Sequence, residues 1–173
     1  MANYKSIKDP GSANRMGGTQ QYILVAPYGD FNVLQKPVDG AVAILVAHTF
    51  LATKGFIKLY LTQDTGNVKF GTQGGDDRKS FRPEGEFYHP GESDEIVNFA
   101  NKAKNDRFIV LVPLPGSTEF IQIGNEEFQV NIAPEYDTAK NSGDGRGWTF
   151  KMSAFAADMI KYRSTVTLLA DPV

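Results

Sequence analysis

Cysteine is absent from this chain of 173 residues. The absence excludes disulfide bridges, thiolate zinc sites and cysteine nucleophiles together, and it fits a reducing compartment. Long apolar segments are absent as well. The longest apolar run, residues 41–47, is too short to cross a bilayer, and residues 1–21 contain no apolar core of signal-peptide type. We therefore expect a soluble protein, made in the cytoplasm, with no membrane partner.

The chain also has no excess of positive charge. It contains 18 Lys and Arg residues against 20 Asp and Glu residues, which gives a formal net charge of −2. A protein that grips nucleic acid by its backbone needs many cations that neutralise phosphates. The composition therefore argues against specific nucleic-acid binding.

Histidine is scarce, and neither copy has the neighbours that a metal site needs. His48 lies in an apolar strand segment, which favours a hydrogen-bonded core or edge residue over a catalyst. His89 follows Glu86 by three residues, but a zinc site usually needs three or four ligands. We expect no metal ion at either histidine.

Catalytic motifs are missing too. Asp76 and Asp77 are adjacent, so in an extended chain their carboxylates point to opposite sides, and the same holds for Glu126 and Glu127. Residues 64–67 lack the closing glutamate of a calcium loop. The glycine-rich residues 141–147 have no Walker or dinucleotide spacing and precede a strand, so no helix dipole can hold phosphate there. We expect no catalytic residue and no cofactor.

The sequence does contain the patterns typical of β-strands. Aromatic residues make up 12% of the sequence, and short apolar or alternating runs are separated by turn residues. Strands are predicted at residues 21–27, 42–51, 55–63, 108–113, 120–123, 128–132, 148–155 and 164–169. The runs 120–123 and 128–132 flank a tight turn and predict a hairpin, and residues 133–147 predict a polar loop.

One helix is predicted, at residues 93–105. Ser93 can cap its first amides, and Ile96, Phe99, Ala100 and Ala103 recur at helical spacing. The fold class is therefore mainly β: an antiparallel β sandwich or partly closed barrel with one flanking α-helix and a long protruding loop.

Three segments are interpreted as contact regions, one of them the glycine-rich loop at 141–147. Residues 1–20 predict a flexible N-terminal arm, followed by a single β domain at 21–173. Residues 64–91 combine glycines, charges and isolated aromatics, which indicates a long loop or extended hairpin that docks on something. The expected subunit-interface residues are Phe70, Asp76, Asp77, Arg78, Lys79, Phe81, Phe87, Tyr88, Asp144 and Arg146.

This order of elements resembles the tail tube proteins of tailed bacteriophages. The matching features are the loop at 64–91, the helix at 93–105, the strands from 108 to 132 and the terminal strand pair after Gly147. The resemblance implies a structural virion protein of the tail, made in the bacterial host cytoplasm, that forms hexameric rings. The rings stack, contact other virion proteins, and let DNA pass without specific binding. Neighbouring strand edges would pair into an inner barrel.

Other proteins of similar build stay open as alternatives. They are head–tail joining, tail terminator, baseplate and capsid decoration proteins. A small enzyme or ligand-binding domain, with residues 64–91 as a lid, is a further alternative.

Overall fold

The fold is mainly β, as the sequence predicts. The computed structural model describes residues 4–11, 15–143 and 145–170, and within them it has three sheets and one α-helix. The strands are β1 (Tyr22–Pro27), β2 (Phe31–Val33), β3 (Ala43–Ile44), β4 (Thr49–Phe50), β5 (Ile57–Tyr60), β6 (Asn67–Gln73), β7 (Ser80–Pro90), β8 (Phe108–Pro113), β9 (Phe120–Ile123), β10 (Asn131–Asp137), β11 (Gly147–Ser153) and β12 (Ile160–Tyr162).

The larger sheet has six strands in the order β3-β12-β9-β8-β1-β5. Its neighbours are antiparallel except for β3 and β12, which run parallel. All six residues of β8 are buried. This explains why its sequence, FIVLVP, is apolar throughout instead of alternating: both faces of the strand are covered.

The smaller main sheet has four antiparallel strands in the order β10-β11-β7-β6. It packs face to face with the larger sheet, and the apolar core between them includes Val110, Ile123, Phe87 and Phe150. Among the described residues neither sheet closes on itself. Of the two predicted architectures, the structure therefore has the β sandwich.

The helix α1 (Asp94–Ala103) is where the sequence predicts it. Ile96, Ala100 and Ala103 are buried, so the apolar stripe packs on the core as expected. Ser93 occupies the N-cap position, but it makes no side-chain hydrogen bond to the first amides, contrary to the prediction. The pKa of the Glu95 carboxyl is lowered, first by its own backbone N–H and then by the Ser93 hydroxyl.

Residues 42–51 do not form one strand, which corrects the prediction. They contain the two short strands β3 and β4, which belong to different sheets: β3 pairs with β12, and β4 pairs with β2. The reason is burial: Ile44 and His48 both point inward, whereas the side chains of Leu45 and Val46 between them are exposed. A regular strand would have alternated.

The predicted hairpin at 120–132 is also corrected. Its tight turn exists, because the Asn125 N–H donates to the Phe128 carbonyl. The chain then leaves the larger sheet, so β9 pairs with β8 and β12 while β10 pairs with β11. The predicted polar loop at 133–147 is accordingly shorter, since β10 continues to Asp137. An alternating strand can bury its apolar face in either sheet of a sandwich, so local pattern does not choose its partner.

The last predicted strand, 164–169, is reduced to a single bridge between Leu168 and Phe56. The terminal strand is β12 instead. Residues 4–11, in the predicted arm, belong to no strand, and Tyr4 and Ile7 are almost fully exposed. The chain joins the fold at Gln20, whose N–H donates to the Pro113 carbonyl.

Candidate assembly surfaces

Residues 64–91 form a β-hairpin. Strands β6 and β7 pair from Asn67–Glu86 to Gln73–Ser80, so of the two predicted forms the structure has the extended hairpin. Its turn, residues 74–79, contains four of the expected interface residues: Asp76, Asp77, Arg78 and Lys79. All four are exposed, and Lys79 pairs with Asp76 at 3.6 Å. The hairpin therefore ends in a solvated, charged tip.

The aromatic residues of this hairpin divide into two groups. Phe70 and Phe81 are half-buried, with ring centroids 6.3 Å apart. Phe81 is also held by two backbone hydrogen bonds with Ala156, so this part of the hairpin is integral to the sheet. Phe87 is 1% exposed and stacks on Phe150 in the core. Its expected place at a subunit interface is therefore wrong: the side chain has no surface to offer.

Tyr88 also has a structural position. Its N–H donates to Thr65 Oγ1 at 3.3 Å, and its carbonyl accepts from the Thr62 N–H. On the side-chain end, its hydroxyl lies over Gly147, where a Cβ would collide with it. Tyr88 thus fastens the chain before β6 to the sheet.

Arg146 is engaged within its own chain. Its Nε donates to Glu92 Oε2 at 2.6 Å, and the Tyr136 hydroxyl donates to the same oxygen at 3.2 Å. The bond from Arg146 lowers the pKa of the Glu92 carboxyl. This cluster ties the end of β7 to the β10–β11 hairpin. Asp144, expected beside Arg146, lies outside the described residues.

Strand β6 presents an open edge. Phe81 and Pro83 of β7 bond to the Ala154–Ala156 side, so the alternate residues of β7 face β6. By the same alternation, the backbone groups of Val68, Phe70 and Thr72 face away from β7. Within the described residues these groups have no hydrogen-bond partner. An unpaired edge of this length invites another strand.

Of two other sheet edges, β5 is blocked and β10 is only partly obstructed. Just before β5, the Phe56 N–H and carbonyl bond to Thr167 and Leu169, and at the end of β5 His89 Nδ1 bonds to the Tyr60 carbonyl at 2.7 Å. On β10, Pro134 occupies an outward-facing position, where it removes a donor. Proline still leaves its carbonyl free, so β10 can accept a neighbouring strand more readily than β5 can.

A second surface was missed by the sequence interpretation. Around the edge strand β3, the aliphatic side chains of Val38, Val42, Leu45 and Val46 are each more than 60% exposed. The signal was present, since the apolar run 41–47 fits a strand with both faces covered. Within the chain Ala43 and Ile44 of β3 are buried, but the aliphatic side chains on either side of them are not. Exposed aliphatic groups concentrated in this way mark contact surfaces.

The outer face of the four-stranded sheet is polar. Strand alternation and the pairing register place three cationic and four anionic side chains on it: Lys69, Arg82, Lys151, Glu84, Glu86, Glu135 and Asp137. Opposite charges pair there, Arg82 with Glu84 at 3.1 Å and Lys151 with Glu135 at 3.0 Å. The face is therefore close to electrically neutral.

The geometry offers little for catalysis or metal binding in the part of the chain that the structure describes. It contains no group of three or more His, Cys, Asp or Glu residues that could hold a metal ion. Glu86 and His89 lie an odd number of residues apart on β7, so their side chains leave opposite faces of the sheet. A groove of about 840 Å³ crosses the four-stranded sheet and is lined by Lys69, Glu84 and other charged side chains of both signs.

Comparisons of the chain with family models, with curated proteins and with solved structures found no match. The described part of the chain has no helix long and apolar enough to cross a membrane. What can be inferred about function therefore comes from the fold and its surfaces.

Proposed function

We propose that this chain is a structural subunit that assembles with copies of itself into rings, and that stacked rings form a tail tube of the bacteriophage type. The open edge of β6 is the observation that carries the proposal. A seven-residue edge strand without proline or a covering segment is a hazard for a monomer, but it is useful to a subunit that meets its own copies.

The topology of the four-stranded sheet suits a closed ring. Because the sheet is antiparallel with an even number of strands, its edge strands β6 and β10 run in opposite directions. A neighbour related by rotation about an axis along the strands would bring its β10 antiparallel to β6. Each contact would then join two different patches, and a rotation that closes would produce a ring.

In such a ring the outer faces of the four-stranded sheets would line the inside. Their near-neutral charge supports passage of DNA, since a lining with few unpaired cations releases few counterions on contact and holds phosphate weakly. The exposed aliphatic side chains around β3 and the charged hairpin tip would remain for other contacts, between rings or with other virion proteins.

The related alternatives use the same surfaces to different ends. A head–tail joining, tail terminator, baseplate or decoration protein would form rings or attach to a particle without building long tubes. Electron microscopy of the purified chain distinguishes them: stacked tubes support the tail tube, and single rings support a joining or terminator protein.

Thr72→Pro tests the role of the β6 edge. The Thr72 N–H faces the open edge, so proline removes no hydrogen bond within the sheet but removes a donor for a neighbour. We expect the Thr72→Pro chain to fold, by circular dichroism, and to remain monomeric by mass photometry. The control, Thr72→Ala, should assemble as the parent does. Rings formed equally well by the proline variant would contradict the proposal.

A further inference from the structure

His48 is a buried histidine without a charged partner. His48 is 2% exposed and lies in the connection between β3 and β4. Both ring nitrogens are used: Nδ1 accepts the Gln35 N–H at 3.0 Å, and Nε2 lies 2.8 Å from Gln122 Oε1. The residue is one of two histidines in the chain.

These bonds fix the protonation state of the ring. A backbone N–H can only donate, so Nδ1 must carry a lone pair. Gln122 donates its own amide N–H to the Gly124 carbonyl at 3.1 Å, which leaves its oxygen facing the histidine. Nε2 therefore carries the proton, and the imidazole is neutral. A second proton, on Nδ1, would face the Gln35 N–H and break that bond.

Among the described residues no carboxylate bonds to the ring, so the hydrogen bond to Gln122 is the polar contact that favours an imidazolium. The Tyr162 ring stacks on His48 at 4.7 Å, and Phe31 and Phe56 complete an aromatic enclosure. Tyr162 is the titratable group in contact with it, and burial raises the pKa of that phenol. The charged residues on the adjoining elements are engaged in surface ion pairs: Asp30 with Lys54, Lys36 with Glu126, and Glu119 with Lys161 and Arg163.

His48 lies at the contact between the larger sheet and a segment of chain that packs on its far side. Residues 31–50, here called the covering segment, lie over a second apolar cluster on the far side of the larger sheet. The segment contributes Ile44 to that cluster, and the rest of the cluster consists of Leu24, Ala26, Phe56, Leu111 and Tyr162. Through Gln122 the ring ties the covering segment to β9. The backbone N–H of His48 donates to the Tyr162 hydroxyl at 3.3 Å, and this bond connects the covering segment to β12.

We propose that His48 is an acid-sensitive latch, in which protonation of Nδ1 releases the covering segment from the second apolar cluster. The proton comes from solvent when the segment opens, and the bond lost is the one from Gln35. Opening uncovers the edge of the larger sheet and the aromatic residues beneath the segment. The latch operates in a single copy and does not depend on ring formation.

The direction of the effect follows from the folded-state pKa. Burial lowers the pKa of His48 below its ordinary 6.5, and the bond to Gln122 offsets only part of this. The opened state therefore binds the proton more strongly than the closed state. The segment is held fully above about pH 6.5, and its hold weakens as pH falls below that value, by about tenfold in the opening constant per pH unit until the folded-state pKa is reached.

Hydrogen exchange followed by mass spectrometry measures this opening in monomers and assemblies alike. Below about pH 6.5, the protection factor of peptides covering residues 34–48 should fall as the pH falls, by at most about tenfold per pH unit. Peptides containing Phe108 and Val130, which bond to each other, should keep theirs. Exchange at the imidazole C2–H gives the protonation midpoint of each histidine separately, and that of His48 should lie below 6.5.

Two matched variants test the assignment. His48→Asn supplies an oxygen that can accept the Gln35 N–H but cannot titrate, so the acid dependence should disappear. His89→Asn, at the half-buried second histidine, should retain the acid dependence in full. Acid-dependent opening that survives in His48→Asn, or a His48 midpoint at or above 6.5, would overturn the proposal. If His48→Asn fails to fold, the test is made on the parent chain. There, a loss of amide protection whose pH dependence does not follow the protonation of His48 would refute the latch.

Discussion

Replacing Phe87 by alanine removes one of the largest buried side chains of the sandwich. The ring is 1% exposed and stacks on Phe150 with centroids 5.1 Å apart and planes 13° apart. A Phe→Ala change in a core costs about 3–5 kcal/mol, because apolar contact is lost and a cavity remains. For a domain of this size that corresponds to a fall of about 6–20 °C in the melting temperature.

Urea unfolding of the Phe87→Ala chain checks this value, with the midpoint compared at constant slope. Phe128→Ala is the control, because Phe128 is 46% exposed and its truncation should cost about 0.5 kcal/mol or less. The measurement should be made on a monomeric background such as Thr72→Pro, so that subunit contacts do not contribute. Equal losses in the two variants would refute the assignment of Phe87 to the core.

Three further predictions concern other parts of the molecule. Tyr162→Phe removes a hydroxyl that accepts the His48 N–H and donates to the Thr165 carbonyl, so it should lower the free energy of unfolding by about 1–3 kcal/mol in urea titrations. Leu45→Glu, at an exposed position beside β3, should leave the melting temperature within a few degrees of the parent but reduce the assembled fraction in sedimentation. Replacing the hairpin tip, residues 74–79, by Asn-Gly should preserve the fold and the rings but shorten or abolish stacked tubes in micrographs.

The elements that the sequence predicts well are those whose pattern is complete within a few residues. The helix at Asp94–Ala103 has a full apolar stripe, and β8 is an unbroken apolar run that only a doubly covered strand would need. Both are local signals. The fold class follows from them because a short amphipathic helix between apolar strands must pack on a sheet.

Partner choice could not be predicted in the same way. The alternation through Phe128, Val130 and Ile132 fits a hairpin with β9, yet Val130 bridges Phe108 and Ile132 belongs to a strand of the opposite sheet. Val130 and Ile132 are buried in the structure, as they would be in a hairpin, so their burial does not distinguish the two arrangements. The choice depends on contacts far apart in sequence.

Some of the surface residues could be predicted from the sequence and others could not. Glycines and charges correctly indicated an exposed turn at Asp76 and its neighbours, because such residues cannot be buried cheaply. An aromatic residue does not indicate in the same way whether its side chain is buried or exposed. Phe87 and Phe81 lie in similar sequence surroundings, but Phe87 is in the core, whereas Phe81 is half-buried and its backbone bonds to Ala156. The exposure of the aliphatic side chains around β3 was not predicted, because apolar runs are normally buried.

The central claim is that the edge of β6 pairs with a neighbouring copy. Hydrogen exchange at the backbone amides of Val68, Phe70 and Thr72 tests it most directly, because their N–H groups have no partner among the described residues of a single chain. In dilute monomer these amides should exchange freely, and in the assembled protein they should become protected. If they exchange equally fast in both states, the subunits do not meet through this strand.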